Sequence, residues 1–410
     1  YVEGINGCHL HFTVWAPKTF EIKKGIYWVG VIDWNIRNFH GHTYATKKGT
    51  TYNAYLIIDE KVVLIDSVMG NFSQELREKI GEIIPLEKID YLVVNHVEID
   101  HSGAVPEILK FCPEVKVLGT ARCKEGLWRN FYVNMDFQVV KTGDTLNLGK
   151  RTLKFIEAPM IHWPDSMFTY CPQEELLFPN DAFGQHYATS ERFDDEVDQR
   201  ELMEEAKKYY ANILWPLSSV ILKKIEVLQG LVLSIKMIAP SHGIIWRKDP
   251  KKIINAYLSW AKNETYKKVV IVYETMYGAT EKMARKIAQG IISEGISVKL
   301  FDITQSERTE IISEMLDAQG FIFGSSTLDN GMLPTLAGFL EFLKGLKPKN
   351  RLAGVFGSYG WSGGAVKEIE KILQETGIEI VQPSLSVQYL PTPEELKKCF
   401  DMGRDFAIKL

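Results

Sequence analysis

The chain has 410 residues, 45% hydrophobic and 24% charged, the profile of a globular protein with two or three domains. Its net charge of −4 excludes the strongly basic surface that nucleic acid or an anionic membrane would call for, and no apolar run approaches membrane-spanning length. The opening segment YVEGINGCHLHFTVWAPKTF lacks the charged-then-apolar order of a signal peptide, and the five cysteines (Cys8, Cys112, Cys123, Cys171, Cys399) form no CxxC, so a cytoplasmic chain with free thiols is expected.

Cys8, His9 and His11 lie close together near the start; with no partner motif they read as a surface strand. Short strands then follow one another: GIYWVGVI, TTYNAYLIID, KVVLIDS, YLVVNH, VKVLGT, RTLKFIEAP and ELLFPND, each rich in β-branched or aromatic residues between turn signals. Between them, NFSQELREKIGEII spaces Leu76, Ile80, Ile83 and Ile84 as a helix does, and residues 195–236 read as two longer helices. Strands and helices in this mixture predict an α/β sandwich. The stretch RKDPKKIINAYLSWAKNETYKK is polar and reads as a helix and linker, placing a domain boundary at 250–266 and dividing the chain into 1–262 and 263–410. Beyond it, KVVIVYET, SVKLFDI, GFIFGSS, RLAGVFGSY and IVQPSLSVQY alternate with helical segments such as ATEKMARKIAQGIISEG, the pattern of a doubly wound parallel sheet.

Chemistry concentrates just after the strands. NHVEIDHSG (95–103) carries His96, Glu98, Asp100 and His101 behind the apolar run YLVV. His162 in APMIHWPDS, Asp181 in ELLFPNDAFG and His242 in APSHGII occupy equivalent places. One polar residue at a strand end is usually a turn former; seven so placed can share a site, because loops at one sheet edge converge. Imidazole and carboxylate donors without thiolate suit zinc, iron or manganese. Seven are too many for one tetrahedral ion and fit two ions with a bridging carboxylate. Three carboxylates among them favour an oxidisable pair such as di-iron, with di-zinc as the competing reading.

The spacing HxExDH with a later His, Asp and His resembles the metallo-β-lactamase-like fold, whose hydrolases usually show HxHxDH; here Glu98 stands at the second histidine's place. With APMIHWPDSMFTY, LFPNDAFGQH and IAPSHGIIWRKDP, the chain from about Ile22 to its end resembles the flavodiiron proteins, also called A-type flavoproteins. The resemblance implies an N-terminal αββα metallo-β-lactamase-like sandwich followed by a flavodoxin-like domain. It implies one iron on His96, Glu98 and His162, a second on Asp100, His101 and His242, and Asp181 between them. For His101 a hydrogen-bonding role beside the metal is the alternative.

The second half contains three loops at strand ends. Thr275, Met276, Tyr277, Gly278, Ala279 and Thr280 form TMYGAT, a turn leading into a helix N-terminus, which presents N–H groups and hydroxyls to an anion. It lacks the GK[ST] ending of a nucleotide P-loop, which disfavours ATP. SSTLDNG offers Ser326, Thr327, Leu328, Asp329 and Asn330 to the polar edge of a ring. GSYGWSGG offers Ser358, Tyr359, Gly360, Trp361, Ser362 and Gly363, with two aromatic side chains able to stack on it. The three resemble the phosphate and isoalloxazine loops of flavodoxins, and FMN is the implied cofactor.

The resemblance further implies reduction of dioxygen to water or nitric oxide to nitrous oxide, dioxygen being the first choice. It implies a head-to-tail homodimer or dimer of dimers, and electrons from rubredoxin or another separate donor. Two other functions compete: a di-zinc hydrolase fused to a flavodoxin, against which Glu98 counts, and a flavin electron carrier with an inert first domain, against which the full donor set counts. Among other polar and aromatic residues, His40 and His42 are either supporting donors or loop residues, and His186 is a minor candidate to support Asp181. Trp34 is expected in the core, and Trp163 is divided evenly between core and pocket.

Overall fold

The computed structural model describes residues 19–230 and 233–410, so Cys8, His9 and His11 lie outside the described residues. The first sheet has seven strands in the order Phe20–Lys23, Ile26–Trp28, Tyr55–Ile58, Val62–Ile65, Tyr91–Val93, Lys116–Gly119 and Phe137–Val139. Its first four strands are antiparallel and the rest parallel. The second sheet has five strands: Thr145–Asn147, Thr152–Glu157, Met167–Cys171, Leu176–Phe178 and Met237–Ile238.

The two sheets bury their facing sides against each other. Trp28, Tyr55, Ile57, Val63 and Val93 of the first meet Leu153, Phe155, Met167 and Phe178 of the second. Helices Ser73–Ile83, Val105–Phe111 and Ala121–Phe131 cover the outer face of the first sheet through Leu76, Ile80, Ile108 and Leu127. Helices Gln199–Tyr209, Ser218–Gly230 and Pro250–Ala261 cover the second through Leu202, Ile221 and Tyr257. This is the expected αββα sandwich. Alternation explains it: within Val62–Ile65, Val62 and Leu64 face the helices while Val63 and Ile65 face the other sheet. The two long helices expected over 195–236 are joined by a π turn at Tyr210–Leu214 and a short 3-10 turn at Trp215–Leu217, where Pro216 withholds an amide donor.

The third sheet has the order Ser297–Asp302, Tyr266–Glu274, Ala318–Leu328, Leu352–Tyr359, with Glu379–Ile380 and Leu385–Gln388 both beside the last. All these pairings are parallel. Val269, Ile271 and Tyr273 pack under helices Ala279–Ser293 and Pro393–Ile408; Val270 and Val272 face the three helices on the other side. Both faces are covered, as a parallel sheet requires. Strand order reverses between Tyr266–Glu274 and Ala318–Leu328, the place where open sheets of this kind bind ligands.

The domains share one continuous core that runs from Trp215 and Tyr257 to Ile311 and Phe339. Across the seam Lys207 pairs with Asp317 at 2.6 Å; within the second domain Lys268 pairs with the same carboxylate and with Glu314.

Candidate metal centre and flavin groove

The metal cluster is assembled by strand ends. His96 and Glu98 follow Tyr91–Val93; Glu98 precedes the single helical turn Ile99–Ser102 that carries Asp100 and His101. His162, Asp181 and His242 follow Thr152–Glu157, Leu176–Phe178 and Met237–Ile238 on the second sheet. The structure therefore brings together all seven residues singled out in the sequence, in two groups: His96, Glu98, His162 and Asp181, and Asp100, His101 and His242.

Asp181 faces both groups. Its Oδ2 lies 3.3 Å from His162 Nε2 and 3.6 Å from His96 Nε2. Its Oδ1 lies 2.9 Å from His101 Nε2 and 3.5 Å from His242 Nε2. Glu98 Oε2 completes the first group at 3.2 Å from His96 and 3.3 Å from His162. Asp100 Oδ2 completes the second at 3.0 Å from His242 and 3.3 Å from His101. Glu98 and His162 are half-buried and the other five buried, so the cluster opens on the Glu98–His162 side.

Imidazole orientation shows what these groups are suited to hold. His242 Nδ1 donates to Thr51 O at 2.7 Å, and His96 Nδ1 meets both oxygens of Asp165 at 3.1–3.2 Å. In the neutral ring the other nitrogen, Nε2, then carries a lone pair directed at carboxylate oxygens, an arrangement that cations between them stabilise. Both oxygens of Asp100 and Oδ2 of Asp181 are buried without a hydrogen-bond partner among the described residues. Buried carboxylates in that condition are costly unless a cation or donor meets them. The donor set and the orphaned oxygens both fit a pair of divalent ions, one for each group.

With protons as the only cations, the same cluster holds charge on its histidines. Burial works against a charged His96, yet hydrogen bonds to Asp165 and Glu98 keep its pKa well above the usual range. Burial likewise opposes a charged His101, and Asp100 and Asp181 carry its pKa up to about 9. Burial would raise the Asp181 pKa, but His101 and His162 hold it well below the usual carboxylate range.

Several supporting residues escaped the sequence reading. Asp165 also accepts from Val97 N at 2.7 Å, so it fixes both the His96 ring and the backbone beside it. Its signal was its place three residues after His162 in IHWPDS. Asp66 accepts from Asn95 N and Nδ2 at 2.7 and 3.1 Å, and burial pushes its pKa up to about 6. His40 reaches Glu98 Oε1 at 3.1 Å, whereas the His42 side chain is exposed. His186 bonds Thr50 Oγ1 at 2.8 Å and packs 4.7 Å from the His242 ring, so its contacts are with the second group and not with Asp181. Burial first, then the neighbouring His242 and His40, hold its pKa well below the usual range. Trp163 lies 5.1 Å from the His96 ring at the opening. Trp34 is half exposed, contrary to the expectation of core packing.

In the second domain, a groove of about 590 Å³ lies beyond the strand C-termini. Met276, Tyr277 and Ala279 line it from the first loop, Ser326 to Asn330 from the second, and Ser358 to Ser362 from the third. Thr275, Gly278, Thr280 and Gly363 are not among its lining. Thr280 is instead fully buried beneath it; its hydroxyl meets Ser326 Oγ and Ser358 Oγ, each at 2.9 Å, and so ties the three loops together. Thr275 Oγ1 accepts from Gly278 N, and Gly278, at φ +81°, takes the left-handed turn that starts helix Ala279–Ser293. Gly364 is required for a different reason: a Cβ there would lie 1.7 Å from Asn330 O, so only glycine lets the second and third loops meet. Tyr389 and Leu390, a fourth lining segment, were missed; they end the last strand candidate, so the same rule of strand ends would have found them. Trp361 is 98% exposed and Tyr277 91% exposed, an unusual state for large rings that suits stacking on a flat ligand.

Comparison with known proteins covers both parts of the chain. The flavodoxin family matches residues 271–403, and the ODP family beta lactamase matches residues 50–243. A nitric oxide reductase of Moorella thermoacetica is 51% identical over 95% of this chain and 98% of its own. The anaerobic nitric oxide reductase flavorubredoxin of Escherichia coli O1:K1 is 43% identical over 94% of this chain and 81% of its own. Among solved structures, the rubredoxin oxygen:oxidoreductase from Desulfovibrio gigas superposes with a TM-score of 0.93 at 39% identity, covering 96% of this chain and 98% of that one. The flavodiiron protein from Giardia intestinalis superposes at 0.92 with 38% identity, covering 96% of each chain. Similarity on this scale across both domains shows that the chain belongs to the flavodiiron protein family.

Proposed function

We propose that this protein is an oxidoreductase that reduces nitric oxide to nitrous oxide and dioxygen to water at a di-iron centre fed by FMN. The observation that carries the reading is the placement of Asp181, one oxygen toward each of two donor groups. His96, Glu98 and His162 would hold one iron, and Asp100, His101 and His242 the other. The division of labour follows the chain: a metal domain through residue 262 and an FMN domain from 263. When bound, the irons and the flavin supply electrons in pairs, enough together for the four that dioxygen requires or the two that a pair of nitric oxide molecules requires.

The chain's own groups prepare the site. Asp165 and Thr51 O hold the Nδ1 protons of His96 and His242, turning each Nε2 inward. His40 donates to Glu98 Oε1, leaving Oε2 toward the cluster. Trp163, 40% exposed, lies 5.1 Å from the His96 ring beside the half-buried His162. Relatives at 51% and 43% identity are named for nitric oxide and the structural relative at 39% for oxygen, which supports both gases.

A di-zinc hydrolase is not favoured, since Glu98 supplies an oxygen donor where such hydrolases usually have an imidazole. The exposed aromatic rim of the flavin groove supports a head-to-tail homodimer in which a second copy's metal domain covers it, and a rubredoxin-like donor supplies the electrons. The four described cysteines are free and buried, which supports a reducing, cytoplasmic setting. Metal analysis, the flavin spectrum and anaerobic consumption of nitric oxide test the reading. Two irons and one FMN per chain with gas consumption are expected; zinc with hydrolytic activity overturns it.

A further inference from the structure

The turn that carries His40 is held from the other domain. Residues 40–43 join the two strands of a small ribbon, Asn38–Phe39 and Tyr44–Ala45, which pairs with no other sheet among the described residues. Phe39 and Tyr44 anchor its strands in the core of the first domain, while the turn 40–43 itself is exposed. His40 and Gly41 both have positive φ, +49° and +68°, which makes 40–43 a tight left-handed turn. Thr43 Oγ1 donates to His40 O at 2.9 Å, so the position of Thr43 sets that of His40.

Arg308, the first residue of helix Arg308–Met315 in the flavodoxin-like domain, donates from Nη2 to Thr43 O at 3.0 Å and His42 O at 3.3 Å. Its guanidinium lies 4.5 Å from the Phe342 ring of its own domain, which fixes the donor before it meets the turn. Two bonds from one planar group to adjacent carbonyls determine orientation as well as position. Lys47 and Glu310 add a second tie at 2.7 Å, but both are about half exposed and the pair is weakened by solvent.

We propose that Arg308 is a positioning residue for the metal cluster of its own chain. It pins residues 40–43 so that His40 stays on Glu98 Oε1 and Glu98 keeps Oε2 turned to His96 and His162. The flavodoxin-like domain thus braces the metal centre beside it as well as carrying flavin. This rests on the reading of Glu98 as a metal ligand.

The test uses iron-loaded, full-length protein and measures the rate of iron loss to a ferrous chelator, well below the unfolding temperature. Arg308→Ala is expected to speed loss by about tenfold, the range for groups that orient a ligand. It should also raise amide exchange in peptides spanning 38–46 and leave FMN content unchanged. In a His40→Ala background the same substitution should add nothing, because both act through one contact. If Arg308→Ala does not accumulate folded, Arg308→Gln, which keeps its stem over Phe342, carries the same comparison. An unchanged rate, or an equal acceleration with and without His40, overturns the positioning role. Glu98→Ala separates the two readings. If that variant keeps both irons, the ligand assignment fails and takes the proposal with it; if it loses iron while Arg308→Ala retains it normally, only the positioning fails.

Discussion

The metal cluster and the flavin groove lie beyond strand C-termini of the same chain, yet they are built by opposite means. The cluster is made of side chains. Five of its seven donors are buried, and His96 and His242 are each fixed by a hydrogen bond at the nitrogen that faces away. The groove is made of backbone loops bound together from below by three hydroxyls, with its largest rings left in solvent. A small ion brings charge but little surface, so the protein must bury and orient every donor beforehand. A flavin brings its own broad apolar faces, so large rings of the groove can stand in solvent until it binds.

If this contrast is right, substitutions in the cluster should act all-or-none and those in the groove by degrees. The largest effect is expected for Asp181→Ala. It removes the shared ligand, so both irons should be lost together and turnover should fall by more than the roughly 100-fold that a lost supporting group costs. Iron analysis beside the flavin spectrum checks it; a variant that keeps one iron would show the two groups to be independent.

Removing the metal should reveal the charges held in the cluster. His101 in the folded protein titrates at about 9, because Asp100 and Asp181 overcome the burial that opposes its charge. A raised histidine pKa gives stability that is complete below the unfolded value of about 6.5 and is lost as pH climbs through 9. The depressed Asp181 and Glu98 do not change in that window, since their contribution is lost only in acid. Metal-free protein is therefore expected to lose stability between pH 6.5 and 9.5 in denaturant titrations, about 3 kcal/mol from His101 and a further loss of the same sign from His96 and His162, whose pKa values are also raised, while iron-loaded protein does not. Equal pH dependence of the two forms would separate His101 from the metal.

Asp165→Asn keeps size and removes charge beside His96. Iron affinity is expected to fall 10- to 100-fold, with FMN unaffected, as measured by competition with a chelator. The smallest change belongs to the groove. Trp361→Ala should weaken FMN by about tenfold, the scale of one lost stacking contact, and leave the iron content untouched. Loss of FMN and iron together would contradict the separation of the two sites.

Much of this was legible in the sequence because it is local. Alternation in Val62–Ile65 and Val269–Tyr273 marks strands covered on both faces, and the run of residues after each strand places His96, His162, Asp181 and His242 at one sheet edge. Glu98 in place of a second histidine separated this cluster from the hydrolase pattern before any distance was known. Spacing along one strand end could not reveal Thr51, because it meets His242 from another part of the chain. Nor could it tell that Thr280 would lie under the groove.

By itself the sequence determined the elements, the two domains and the chemical kinds of donor, since those follow from periodicity and side-chain chemistry. Only the tertiary structure decided which oxygen of Asp181 faces which histidine, that Arg308 of one domain holds the turn of the other, and which rings stay in solvent. Such relations depend on how separate sheets pack against one another, and packing is a property of the whole folded chain.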